Sequence, residues 1–302
     1  MKKLIYTIFI FLLGYQLYAQ QDPQYTQYMY NMNVINPAYA GSTETVSIGA
    51  LYRSQWVGLE GAPNTGTLSI HSPVGNRVGL GFSLINDEIG PVNETNAYVD
   101  FSYTLPLGGT KLAFGLKAGA TFHNIGLVNL DLIDSGDLFF SENVDELTPN
   151  VGAGVYFYKP NKYYISASMP NILNGTHLDL NGTKIGSETE HFFAAAGYVF
   201  DLSENFKLKP HALAKLAFDA PVSYDVNLNL FMYNVVEIGA GYRLEDSFSG
   251  MINFMVSPNL RIGYAYDSIQ SDLDVVTNSS HEIFINFDIF LPKKVSRSPR
   301  YF

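Results

Sequence analysis

The feature that most constrains this chain is a strict alternation of side-chain character. From Lys111 to His123, one face of an extended chain carries Leu112, Phe114, Leu116, Ala118, Ala120 and Phe122. The other carries Lys111, Ala113, Gly115, Lys117, Gly119, Thr121 and His123. A β-strand sends successive side chains to opposite faces, so this segment has one oily side and one small or polar side. Neither side would be coherent on a helix. The pattern recurs at 78–84, 96–103, 207–216, 225–230 and 282–289, and in weaker form near 45–56, 65–71, 150–158, 163–169, 191–200, 235–243, 250–256 and 260–267. That makes about fourteen strands, each near the ten residues that a tilted membrane strand needs.

The connections separate into two kinds. Segments 72–77, 105–109, 159–162, 201–205, 233–234 and 257–259 are tight and rich in Pro, Gly, Asn and Asp. The alternate connections are mostly longer, notably 124–149, 170–190 and 268–280. Short turns on one side and long loops on the other are the sidedness of an outer-membrane barrel, with the short turns in the periplasm. A soluble β-sandwich or propeller would share the alternation but rarely this asymmetry. Charged residues make up only 15% of the chain, against about a quarter in an ordinary soluble domain, and aromatics reach 14%. The rings expected in interfacial girdles are Tyr52 and Trp56, Tyr98 and Tyr103, Tyr163 and Tyr164, Tyr198 and Phe200, and Tyr264 and Tyr266. The fold expected is an all-β, antiparallel, transmembrane barrel of about fourteen strands over residues 45–290, because only a closed barrel of strands satisfies its backbone in lipid.

The ends carry further information. Lys2 and Lys3, the apolar run Leu4–Leu17 and the small Ala19 have the layout of a secretory signal peptide over residues 1–19. The formal charge is −10 and becomes more negative once those lysines leave, so no nucleic-acid partner is expected. There is no cysteine, which excludes disulfides, thiolate metal sites and a cysteine nucleophile. The tail 291–302 holds Lys293, Lys294, Arg297 and Arg300. It reads either as a periplasmic dock for an acidic partner or as a disordered end.

Between signal and barrel lies the segment 20–44, too rich in rings and amides for a linker. A short helix or coil is expected over 24–33, then an extended stretch into the first strand. Tyr25, Tyr28, Met29, Tyr30 and Met32 need cover inside the barrel or against its periplasmic mouth, where the segment would act as a plug or dock. Asp22, Pro23, Gln27, Tyr28, Met29, Asn36, Pro37, Ala38, Tyr39, Ala40 and Gly41 match the opening pattern of one family, and Arg53, Gln55 and Trp56 match its Arg-x-Gln-Trp. The chain therefore resembles the PorP/SprF family of type IX secretion and gliding proteins. That resemblance implies outer-membrane residence beside the secretion machinery. It also implies that the barrel receives the C-terminal domain of a secreted adhesin and contacts periplasmic motor or peptidoglycan-binding components. The site residues expected for partner binding are Tyr28, Asn36, Pro37 and Tyr39 in the segment, with Arg53 and Trp56 near the outer rim.

Other chemistry is thin. Ser280 and His281 are neighbours in a strand and so face opposite ways, which disfavours a serine–histidine pair. Asp131, Asp134, Asp137, Glu142, Asp145 and Glu146 cluster in one loop but lack the glycine-centred calcium template, and a solvated loop is the simpler reading. The inward-facing Lys111, Lys117, Lys207, Lys209, Lys215, Arg243 and Arg261 oppose Asp100, Asp225, Glu237, Glu282 and Asp288. They are either interior ion pairs or the selectivity lining of a pore. The expected function is adhesin binding without catalysis, cofactor or metal. The alternative is a passive or solute-selective channel.

Overall fold

The computed structural model describes residues 23–129, 143–173, 176–180, 183–187, 190–217, 220–271, 275 and 277–291. The signal peptide expected over 1–19 and the basic residues of the tail lie outside them.

The first half of the sheet comprises β1 (Thr45–Ser54), β2 (Asn64–Pro73), β3 (Val78–Ile89), β4 (Val92–Leu107), β5 (Thr110–Ile125), β6 (Val144–Lys159) and β7 (Tyr163–Asn171). A separate hairpin, β8 (Thr176–Leu180) and β9 (Thr183–Ser187), follows. The sheet then resumes with β10 (His191–Tyr198), the short β11 (Phe200–Asp201), β12 (Phe206–Ala217), β13 (Ala220–Met232), β14 (Val236–Arg243), β15 (Ser247–Ser257), β16 (Leu260–Ile269) and β17 (Ser279–Phe290). Each long strand pairs antiparallel with its neighbour. The ring closes twice over: β1 runs against β17 from Thr45↔Phe290 to Ser54↔His281, and β10 runs against β12 from His191↔Ala217 to Gly197↔His211. The result is a closed barrel of fourteen strands: β1–β7, β10 and β12–β17.

The period-two pattern sorts side chains as the sequence expects. Leu80, Phe82, Val99, Phe101, Phe114, Leu116, Val226, Leu228, Ile283 and Ile285 face outward and are exposed, which in a membrane means covered by lipid. Ser69, Ser83, Asp100, Ser102, Lys117, Asn227, Asn229 and Glu282 face the interior. No helix among the described residues is long and apolar enough to cross a membrane. The strands do the crossing.

Two expectations need correction. The long-loop end is less uniform than the sequence suggests, because β3 joins β4 through Gly90–Pro91 alone and β14 joins β15 through 244–246. Left-handed backbone at Gly90 (φ 56°) and Glu245 (φ 58°) permits those tight reversals. The loops 55–63, 126–143, 172–190 and 270–278 keep the asymmetry and mark that end as the outer one. Second, Tyr98 and Tyr164 are not girdle residues. Tyr98 is 3% exposed inside the lumen, and the Tyr164 hydroxyl meets His211 Nδ1 at 3.2 Å. Strand parity overrides ring type here: Tyr163 faces out, so Tyr164 must face in. Outward rings do collect at the periplasmic end, where Tyr163 stacks on Tyr198 with centroids 6.3 Å apart and Tyr198 meets Phe200 at 4.5 Å.

A self-plugged lumen as the candidate functional site

The residues ahead of β1 fill the barrel. They form three short turns, a 3-10 turn at Tyr28–Tyr30, a single α turn at Met32–Ile35 and a second 3-10 turn at Pro37–Tyr39. Asn36 caps the last of these, its Oδ1 accepting the Ala38 amide at 2.9 Å, with Pro37 suited to the first helical position. The stretch expected to be extended is therefore a capped turn. It also sits deeper than a periplasmic dock. Thr26 meets wall residues near the outer end and Gly41 meets His71 near the inner end, so the segment runs through the lumen and leaves beside the start of β1.

On the wall made by β1 and β12–β17 the contacts are ionic. Glu282 accepts the Thr26 amide at 2.9 Å and the Gln27 amide at 2.8 Å. Asp267 accepts the Thr26 hydroxyl at 2.7 Å. Arg53 closes the cluster, with Nη1 at 2.7 Å from Asp267, 3.4 Å from Glu282 and 2.8 Å from Thr26 Oγ1. Lower down, the Tyr30 hydroxyl donates to Glu237, which pairs with Lys209 at 2.7 Å. Burial pushes the Tyr30 phenol above its ordinary range, so it stays protonated as that donor. Its ring stacks on Phe284 at 5.0 Å, and the Arg261 guanidinium lies 4.7 Å from the ring centre.

The wall made by β2–β7 meets the backbone of the plug mainly through small residues. Ser102 donates to the Ala40 carbonyl at 2.6 Å and Ser168 to the Ile35 carbonyl at 3.0 Å. Asn36 Nδ2 reaches Ser166 and the Val155 carbonyl, both at 3.1 Å. At Gly115 the wall touches the Pro37–Ala38 backbone so closely that any Cβ would collide with it, and Gly79 meets the Ala40 carbonyl in the same way. This side also holds an ion pair that the plug meets: Lys117 to Asp100 at 2.8 Å, with Asn33 donating to the same carboxylate at 3.3 Å. Tyr39 packs edge-on against His71 and Tyr156.

Sequence reasoning placed Tyr28, Asn36, Pro37 and Tyr39 in one segment, and the structure brings them together inside the barrel, the first three fully buried. Arg53 departs from expectation. It is 2% exposed and lies within the lumen, not on the rim, because its parity faces inward and a buried guanidinium must meet carboxylates. Trp56 does lie at the rim, but in the loop 55–63 beyond the end of β1. Its φ of +48° is left-handed, a conformation that costs a bulky residue about 1–2 kcal/mol. Of the inward charges, Lys117, Lys209 and Arg243 are paired, the last with Asp225 at 2.7 Å. Thr26 and Asp267 were missed; Asp267 has inward parity on its own strand, whereas Thr26 lies ahead of every strand and carries no such signal. Ser280 faces inward and accepts the Trp56 amide at 3.1 Å, whereas His281 turns to Tyr264. Most of the acidic loop lies outside the described residues, among which no group of His, Asp and Glu is placed to hold a metal ion.

A closed, lipid-facing fourteen-stranded barrel with its own peptide in the lumen defines an integral outer-membrane β-barrel protein. The chain belongs to the family described as type IX secretion system membrane protein PorP/SprF, whose model matches residues 17–287. Among solved structures it is similar to the P. putida toluene transporter TodX, at 11% identity over 86% of this chain and 94% of that one, with a TM-score of 0.50. It is also similar to the Acinetobacter baumannii outer membrane protein Omp33, at 11% identity over 81% and 99%, with a TM-score of 0.49. Likeness at such identity is a matter of fold alone. No curated protein sequence matches it.

Proposed function

We propose that this barrel is a holding component of the type IX secretion system, which keeps the C-terminal domain of a secreted adhesin at the cell surface and connects it to periplasmic motor or peptidoglycan-binding components. The observation that carries the reading is the filled lumen. Gln27, Tyr28, Asn36, Ala38 and Asp100 are inaccessible to water along it, where a channel would need a continuous aqueous path. Family membership supplies the secretion context. In this reading the role is binding and not catalysis, and export depends on the signal peptide at residues 1–19. Tyr28, Asn36, Pro37, Tyr39 and Arg53 serve by holding the plug, and Trp56 stands where a partner arrives.

The test is affinity recovery of the tagged protein from outer membranes. A secreted adhesin and secretion components should accompany it, and less adhesin should be recovered on the Asn36→Ala/Pro37→Ala double variant, which still inserts. Recovery of neither class of protein on the wild type would sink the proposal.

A further inference from the structure

At the outer end, the loop 55–63 forms a cleft of about 240 Å³, lined in part by Trp56, Val57, Leu59, Asn64 and Glu88. Its backbone is tied on three sides. Gln55 N–H donates to the Pro63 carbonyl, Val57 N–H to the Ser279 carbonyl, and Gly90 N–H to the Gly61 carbonyl, each at 2.9 Å. Thr277 Oγ1 donates to the Val57 carbonyl at 3.1 Å. Strained backbone at Trp56 is held in place by these bonds, and strain of this kind is kept where the surroundings over-determine a geometry. Yet Val57 and Leu59 remain exposed, at 45% and 37%. The volume is below the 300–1,000 Å³ or so of small-molecule sites, and suits one ring or aliphatic group.

The surroundings carry one sign of charge. Among residues whose side chains are described, those exposed and charged at this end are Glu60, Glu88, Asp145, Glu146 and Glu245, while Arg53, Lys215 and Arg243 are buried. At the opposite end the exposed charges are of both signs, Arg77 and Lys159 beside Glu44, Asp201 and Glu204. A field of one sign beside the exposed Val57 and Leu59 selects a partner of opposite charge and steers its approach.

We propose that this rim is a docking site for a cationic protein segment that places one apolar side chain, flanked by Lys or Arg, in the cleft beside Trp56. The inference deepens the proposed function, since it rests on the outer end receiving a secreted protein.

Trp56 is the single tryptophan of the chain, so its emission reports directly on the cleft. The full-length protein in detergent micelles is titrated with the capped tripeptides Lys-Phe-Lys, Lys-Ala-Lys and Glu-Phe-Glu. A saturable shift with Lys-Phe-Lys is expected, weaker with Lys-Ala-Lys and absent with Glu-Phe-Glu. Glu60→Gln/Glu88→Gln should weaken the response about fivefold, with heat-dependent gel mobility showing that the barrel still folds. No saturable shift, or an equal one with Glu-Phe-Glu, overturns the docking site. Adhesin recovery separates the two readings. Recovery undiminished by Glu60→Gln/Glu88→Gln removes the rim site and leaves the proposed function standing; no recovery on the wild type removes the proposed function, and the tripeptides still decide the cleft.

Discussion

The two walls of the lumen hold one peptide by different means. Strands β2–β7 offer mainly glycine and serine to residues 35–40, and there the fit is steric: Ala38 lies on Gly115, Ala40 on Gly79, and hydroxyls take up carbonyls that would otherwise be orphaned. Strands β1 and β12–β17 offer charge to residues 26–30, and the fit is electrostatic, centred on Arg53 between Asp267 and Glu282. A steric seat depends on volume and is indifferent to ionisation. An ionic seat is strong only while every partner is present, because a buried charge that loses its counter-ion is costly. The plug is therefore expected to yield first at Thr26 and Gln27, on the side nearer the cell surface, and last at Pro37–Gly41.

The largest effect should come from removing both contacts at once. Deleting residues 23–42 empties the lumen, and planar-bilayer recordings should change from silence to steady conductance; a silent deletion protein would mean that something else closes the barrel. Next, Arg53→Met leaves Asp267 and Glu282 without their cation and should destabilise the plugged state by about 3–5 kcal/mol. Hydrogen exchange should then quicken at the Thr26 and Gln27 amides and stay slow at Ala38 and Gly41. Equal loss of protection along the plug would show that the two seats are one. The smallest effect is the mirror experiment: Gly115→Ala forces a methyl against the Pro37–Ala38 backbone, costs about 1–3 kcal/mol and should loosen Ala38 before Thr26.

The same contrast explains what could be read in advance. Local rules gave strand number, faces and turns, since alternation along Lys111–His123 and turn residues at Gly108–Gly109 act within a few residues. They misassigned Tyr98 and Tyr164 only where ring type was weighed above parity. The plug was visible as a need for cover at Tyr28 and Met32, but not as a position. Arg53 was noticed as part of a motif and placed on the wrong surface, because nothing near it in sequence names its partners.

The sequence by itself determined an exported-looking, closed, lipid-facing barrel, since period-two burial and backbone satisfaction in lipid are local demands with a single global solution. Only the tertiary structure decided that the lumen is filled, by which residues, and which charges meet. Those contacts join Thr26 to Glu282 and Asp267 across 256 and 241 residues, and they exist only once β1 has paired with β17. Ring closure brings the two ends of the chain together, and no pattern within either end encodes that meeting.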